Sequence, residues 1–202
     1  DYGSLITIGA RPAMGKTSFI LSILYNLLKE NKKCHLFSVE LNEQAIIKRM
    51  LCIISEVSNI VFRNRDFLTD KITEKLNSAK EELSKLNLTI FEDIIDINQI
   101  KNEIEKHKPE YVFIDSLHLL KGFDTKTLTD LKTLAKENNC IIFNTCTLPN
   151  ELEERENKHP LLSDLREVGS ADIVSDVVLF LYRDCYYNFV DKFSDDYNYE
   201  DY

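Results

Sequence analysis

The segment Ala10-Arg11-Pro12-Ala13-Met14-Gly15-Lys16-Thr17 constrains the fold more than any other stretch of the chain. An apolar run, residues 4–10, leads into it. After it, residues 16–28 carry Phe19, Ile20, Ile23, Leu24, Leu27 and Leu28 at helical spacing. A strand, a tight loop and a helix are therefore predicted in that order, which is where a phosphate-binding loop has to sit. In such a loop the backbone N–H groups at the helix start point at phosphate oxygens, Lys16 adds positive charge for the terminal phosphates, and Thr17 offers a hydroxyl to Mg²⁺. Gly15 lets the backbone come close. The pattern departs from the common form only in Ala10 at its first position, with Gly9 just before it. The competing reading, a glycine turn that merely caps a helix, leaves the coincidence of strand, Gly-Lys-Thr and helix unexplained.

Beyond the loop the chain keeps alternating. Apolar runs at 34–40, 88–91, 111–114, 141–145 and 177–182 read as strands, and helical patterns lie at 46–54, within 69–86, at 97–107 and near 127–137. Such an order predicts an α/β fold, a mostly parallel central sheet with helices on both faces and ligands at the carboxyl ends of the strands. Residues 148–163, with Pro149 and Pro160, read as a long polar loop. With 202 residues one domain is expected, 1–187, followed by an acidic, Tyr- and Asn-rich tail, 188–202, partial or disordered. Residues 184–202 hold six acids and one Lys, so more than half of the net charge of −9 lies there. An acidic chain does not coat nucleic acid by bulk charge, and any polyanion must be held by a few placed residues.

Five cysteines without a C-x-x-C pair and four scattered histidines give no zinc spacing and fit reduced thiols. The longest unbroken apolar stretch, 177–182, falls far short of the roughly 20 residues of a membrane span. With no charged-then-apolar leader, a cytoplasmic protein without a membrane partner is expected.

Two acids end strands where a phosphate site needs them. Asp115 closes the run 111–114, a position suited to orienting a magnesium-bound water, although alone it reads equally as a turn or helix cap. Glu40 closes the run 34–40 and, if that strand neighbours the phosphate-loop strand, faces an attacking water as a general base. Its alternative is an acid that favours the start of the next helix through the dipole. Lys16 and Glu40 are thus the candidate catalytic residues, Thr17 and Asp115 the candidate metal ligands, and hydrolysis the expected chemistry.

Several segments point further: Gly3-Ser4-Leu5-Ile6 with the Ala-Arg-Pro of the loop, Phe37-Ser38-Val39-Glu40-Leu41, Ile114-Asp115-Ser116-Leu117-His118-Leu119, Leu131-Lys132-Thr133-Leu134-Ala135-Lys136-Glu137, Ser163-Asp164-Leu165-Arg166-Glu167-Val168-Gly169-Ser170 and Tyr182-Arg183-Asp184. Through them residues 3–187 resemble the C-terminal, RecA-like ATPase domain of DnaB-type replicative DNA helicases. Without that resemblance, residues 164–167 are only an N-capped helix start of mixed charge. The resemblance implies an ATP hydrolase that drives DNA unwinding. ATP and Mg²⁺ would be held by Ala10, Arg11, Pro12, Ala13, Met14, Gly15, Lys16, Thr17, Ser18, Thr147 and Arg183, with Glu40 as base and Asp115 on the metal side. It further implies a homo-hexameric ring around single-stranded DNA, with a primase or helicase loader as partner. Candidate DNA contacts are Arg155, Lys158 and Arg166, together with the segment after Leu120.

The chain also departs from the family. The family carries a Gln just after the fifth strand that senses the terminal phosphate, whereas this chain reads Asn144-Thr145-Cys146-Thr147-Leu148, leaving Thr147 or Asn144 as the phosphate contact. Ser116 and His118 replace a Tyr and a Gln, and His118 reads either as a satisfied polar group at a strand end or as a phosphate sensor. The family's N-terminal domain, linker helix and Lys and Arg finger segment fall outside these 202 residues, so autonomous unwinding by them is not expected. The alternative reading is a degenerate DnaB-like nucleotide-binding paralogue or regulator without unwinding activity. Another RecA-like ATPase and a small-molecule kinase are further alternatives; the kinase has no visible basic lid.

Overall fold

The computed structural model describes residues 1–94, 96–166 and 168–187. The expected tail, 188–202, lies outside the described residues, as does Glu167 of the mixed-charge segment. Among the described residues six strands, β1 (Leu5–Ala10), β2 (Cys34–Ser38), β3 (Leu88–Phe91), β4 (Tyr111–Asp115), β5 (Ile141–Thr147) and β6 (Val177–Phe180), form one sheet in the order β3-β2-β4-β5-β1-β6. Every neighbouring pair is parallel, so the expected mostly parallel sheet is parallel throughout.

Parallel neighbours need crossovers, and helices supply them: α1 (Lys16–Lys29), α2 (Glu43–Ser55), α3 (Asp70–Leu83), α4 (Ile97–His107), α5 (Thr125–Asn138) and the single-turn α6 (Ala171–Val174), while a further single turn, α7 (Asp184–Tyr187), follows β6. Their starts are written locally. Asn42, Thr69, Asp96 and Asp124 each accept a hydrogen bond from a backbone N–H of the first turn of α2, α3, α4 and α5. At α1 the start is Gly15, in the left-handed region at φ 97°, which leaves its first N–H groups open toward a ligand.

The side-chain alternation of the strands sorts the core into two layers. On β4, Val112 and Ile114 face a cluster with Ile100 and Ile104 of α4 and Leu128, Leu131 and Leu134 of α5. Phe113 faces the other side, with Ile20, Leu21 and Leu24 of α1 and Ile46 and Met50 of α2. Fully burying such a Leu or Ile contributes about 1.5–3 kcal/mol, so the two layers fix the register of the sheet.

The strand order corrects one premise. β2 does not neighbour β1, because β4 and β5 lie between them, and β2 ends at Ser38 rather than at Glu40. Glu40 stands instead in the turn after β2, where the Val39 and Glu40 N–H groups donate to the main-chain oxygen of Asp115 at 2.7 and 3.3 Å. The polar stretch after β5 also has more structure than a bare loop. Short 3-10 turns occupy Asn150–Glu154 and Leu162–Leu165, with Leu152 and Leu165 buried as anchors. No helix among the described residues is long and apolar enough to cross a membrane.

Candidate active site

The carboxyl ends of β1, β4 and β5 meet beneath the loop 10–17, as strand order and parallel register require. Thr17, in the first turn of α1, donates its hydroxyl to Asp115 Oδ2 at 2.7 Å, and Thr145 Oγ1 donates to Asp115 Oδ1 at 2.6 Å. Asp115 is fully buried, so both carboxylate oxygens have partners in a place where an unpaired charge would be costly. Lys16 Nζ donates to the main-chain oxygens of Ala10 and Arg11 at 3.2 and 3.4 Å. Burial pushes the Lys16 ammonium below its ordinary pKa, against the pull of groups that include Glu40 and Asp115.

Above these groups opens a cleft of about 700 Å³, walled by Pro12, Ala13, Gly15, Lys16, Thr17 and Ser18 of the loop, by Glu40, Thr147 and Arg183, and by Arg49, His118 and Leu119. The structure thus brings Glu40 to the loop from across two strands, and Thr147 and Arg183 from the ends of the neighbouring strands. Ala10 and Met14 are buried behind the loop instead of facing the cleft. Arg11 turns away from it and hydrogen-bonds Glu153, Asn150 and the Leu148 main-chain oxygen. Of Asn144 and Thr147, the two residues of β5 expected to meet a phosphate, only Thr147 lines the cleft. Asn144 is buried inside the sheet, where its amide donates to the Ile6 main-chain oxygen at 3.2 Å and to Thr7 Oγ1 at 3.0 Å.

His118 has a hydrogen-bond partner at the strand end, its Nδ1 pairing with Ser116 Oγ at 2.9 Å, and its ring also lines the cleft. Partial burial, then the Lys16 charge, lower its pKa, so the ring is neutral at pH 7 and can serve as a hydrogen-bond partner and not as a cation.

The residues proposed for DNA lie outside the cleft lining. Arg155 NH1 and NH2 grip the two carboxylate oxygens of Asp164 at 3.1 and 2.8 Å, a fork that shapes its loop. Lys158 lies over the Tyr187 ring, 5.4 Å from its centroid. Arg166 extends into solvent, with Asp172 3.9 Å from its Nε. Two cleft residues escaped sequence reasoning, Arg49 and Leu119. For Arg49 the one available signal was its place beside the buried row Ile46 and Met50 on the helix that Glu40 leads into.

Hard oxygen donors suit Mg²⁺, which keeps several waters and takes one or two protein ligands beside substrate phosphates. Thr17 Oγ1 and the Asp115 carboxylate are such donors, already within 2.7 Å of each other. No group of three or more His, Cys, Asp or Glu side chains that could hold a metal occurs among the described residues.

Comparison with known proteins gives a uniform result. Residues 1–200 match the family described as the DnaB-like helicase C terminal domain. The chain is 33% identical over 200 residues to the replicative DNA helicase DnaB of Geobacillus stearothermophilus, covering 91% of this chain and 44% of that protein. To the replicative DNA helicase DnaC of Bacillus subtilis (strain 168) it is 31% identical over 200 residues, with the same 91% and 44% coverage. The chain therefore spans less than half the length of these relatives. Among solved structures, one described as an ATPase domain matches with a TM-score of 0.88 at 31% identity, covering 95% of this chain and 74% of that one. A DnaB-like replicative helicase, whose structure was described with its interactions with primase, matches with a TM-score of 0.88 at 30% identity, covering 95% of this chain and 50% of that one.

Proposed function

Because the chain belongs to the DnaB-like helicase C-terminal domain family, we propose that residues 1–187 are an ATP-hydrolysing motor whose turnover drives movement along single-stranded DNA and the unwinding of duplex DNA. The observation that carries this reading is the bond from Thr17 to the buried Asp115, directly beneath a cleft that Thr17, Lys16 and Glu40 line. In full-length form the motor works as a ring of six in the cytoplasm, with ATP at subunit contacts and a primase or a loader as its protein partner.

Each residue has a task that its position supports. The N–H groups at the start of α1, presented by Gly15, donate to the phosphates, and Lys16 supplies charge to oxygens that grow more negative as the terminal bond breaks. Thr17 and Asp115 would hold Mg²⁺, which when bound supplies charge neutralisation across the phosphate oxygens. Glu40 takes a proton from the attacking water. Thr147 and the neutral His118 offer hydrogen bonds to phosphate, and Arg183 closes the cleft beside the β1 end. Lys158 and Arg166 carry the DNA phosphates, while Arg155, gripped by Asp164, keeps their loop in shape.

The test is the ATPase rate of this chain, joined to its natural flanks, with and without single-stranded DNA. Stimulation by DNA is expected. Glu40→Gln should bind ATP as the parent does and lose hydrolysis by about 10²–10⁴-fold, the range for a general base; unchanged turnover rejects the role.

A further inference from the structure

Arg11 is the one charged residue inside the loop 10–17 that does not face the cleft, and its side chain is nearly enclosed, 13% exposed. Each of its three guanidinium nitrogens donates one hydrogen bond to one short segment. Nε donates to Glu153 Oε1 at 2.8 Å, NH1 to the Leu148 main-chain oxygen at 2.6 Å and NH2 to Asn150 Oδ1 at 2.8 Å. The same Glu153 oxygen accepts from Tyr187 Oη at 2.8 Å. Partial burial raises the Glu153 carboxyl, but the bonds from Arg11 and Tyr187 outweigh it and hold the group below its ordinary value, so it stays ionised at neutral pH.

The other end of this network is the lysine that meets the phosphates. Lys16 Nζ donates to the main-chain oxygens of Ala10 and Arg11, and the Ala10 oxygen also accepts the Leu148 N–H at 3.1 Å. An ammonium has three N–H donors, and phosphate oxygens compete for them with those two carbonyls. A change in that competition acts directly on the main chain of Ala10 and Arg11. Through one rigid guanidinium fork it then reaches Leu148, Asn150 and Glu153, with no other side chain between.

We propose that Arg11 is a positioning residue that ties the conformation of segment 148–154 to the presence of phosphates in the loop 10–17. This deepens the proposed function and rests on its reading of the cleft as a nucleotide site. It supplies a path from that site to the polar loop in a chain that has no Gln at the end of β5. A lysine at this position keeps the charge and loses the fork, so charge alone does not replace it.

The experiment is amide hydrogen exchange across residues 148–154, with and without Mg²⁺ and a non-hydrolysable ATP analogue, on the full chain. Nucleotide affinity is measured in parallel by calorimetry. In the parent the analogue changes exchange in this segment by about 5-fold or more, the lower end of ordinary coupling between sites. Glu153→Ala binds the analogue as the parent does and loses most of that response. Glu153→Gln, which keeps an acceptor oxygen, restores part of it, and Arg11→Lys does not respond. A parent that binds the analogue with no change at 148–154 overturns the proposal alone, as does a full response in Glu153→Ala. A parent that binds no nucleotide overturns the reading of the cleft and this proposal with it.

Discussion

Lys16 shows why this site was partly legible in the sequence. Its neighbours in the loop are its neighbours in the chain, so Gly15, Lys16 and Thr17 have to be consecutive for the backbone to wrap an anion, and the spacing alone points to the chemistry. Arg11 and Arg49 illustrate the opposite case. Arg11 finds Glu153 142 positions along the chain, and Arg49 reaches the cleft only because α2 packs over α1, facts that no local pattern encodes. The phosphate role proposed for Lys16 leads to a direct expectation. Lys16→Ala removes the one ammonium that lines the cleft among the described residues, and a charged hydrogen bond is worth about 1.5–3 kcal/mol, so ATP affinity should fall by at least about 10-fold. Calorimetry decides it, and parental affinity in the variant removes Lys16 from the site.

Elements were legible where hydrophobic period and punctuation agreed. α4 and β3 occupy the predicted residues, since Asp96 caps one and Leu88 to Phe91 form an apolar-rich run in the other. The single-turn helices α6 and α7 and the 3-10 turns were not legible, because four residues are too few to show a period and their anchors, such as Leu152 and Leu165, find partners through tertiary packing. Strand order was also hidden. The run 34–40 suggests a strand beside β1, but Glu40 reaches the cleft by a different route, through a turn bonded to Asp115. Gly9 records how tightly β1 is held at its carboxyl end. A Cβ there would stand 3.1 Å from Leu148 Cδ2 and 3.2 Å from Phe180 Cε1. Gly9→Val should therefore destabilise the sheet by about 1–3 kcal/mol, as overpacking does, read as a lower urea midpoint with unchanged slope.

At the scale of the whole molecule, one buried group makes stability depend on pH. His35, 1% exposed on β2, has both ring nitrogens buried without a hydrogen-bond partner, among the rings of Phe37, Phe91 and His107. Burial, then His107 and Lys33, push its pKa down to about 4. The unfolded chain, with His35 near its ordinary 6.5, binds this proton first as pH falls. Stability is therefore full above about 6.5 and drains away toward pH 4, by about 3 kcal/mol in total. His35→Phe, which suits the aromatic surroundings, should flatten that slope in denaturation curves taken across the window, and an unchanged slope assigns the acid sensitivity elsewhere.

The sheet order also dictates a sequence of events during synthesis. β1 is made first of the six strands, yet its two neighbours are β5 and β6, and Leu5 N–H bonds Asp176 across 171 positions. While β2, β3 and β4 can associate early, the loop 10–17 has no strand beside it until residue 141 exists and no partner for the Arg11 guanidinium until residue 148 exists. A nascent chain thus carries this loop unsupported through most of the domain's translation. Of the strands in this sheet, the one made earliest is the one whose surroundings are completed last.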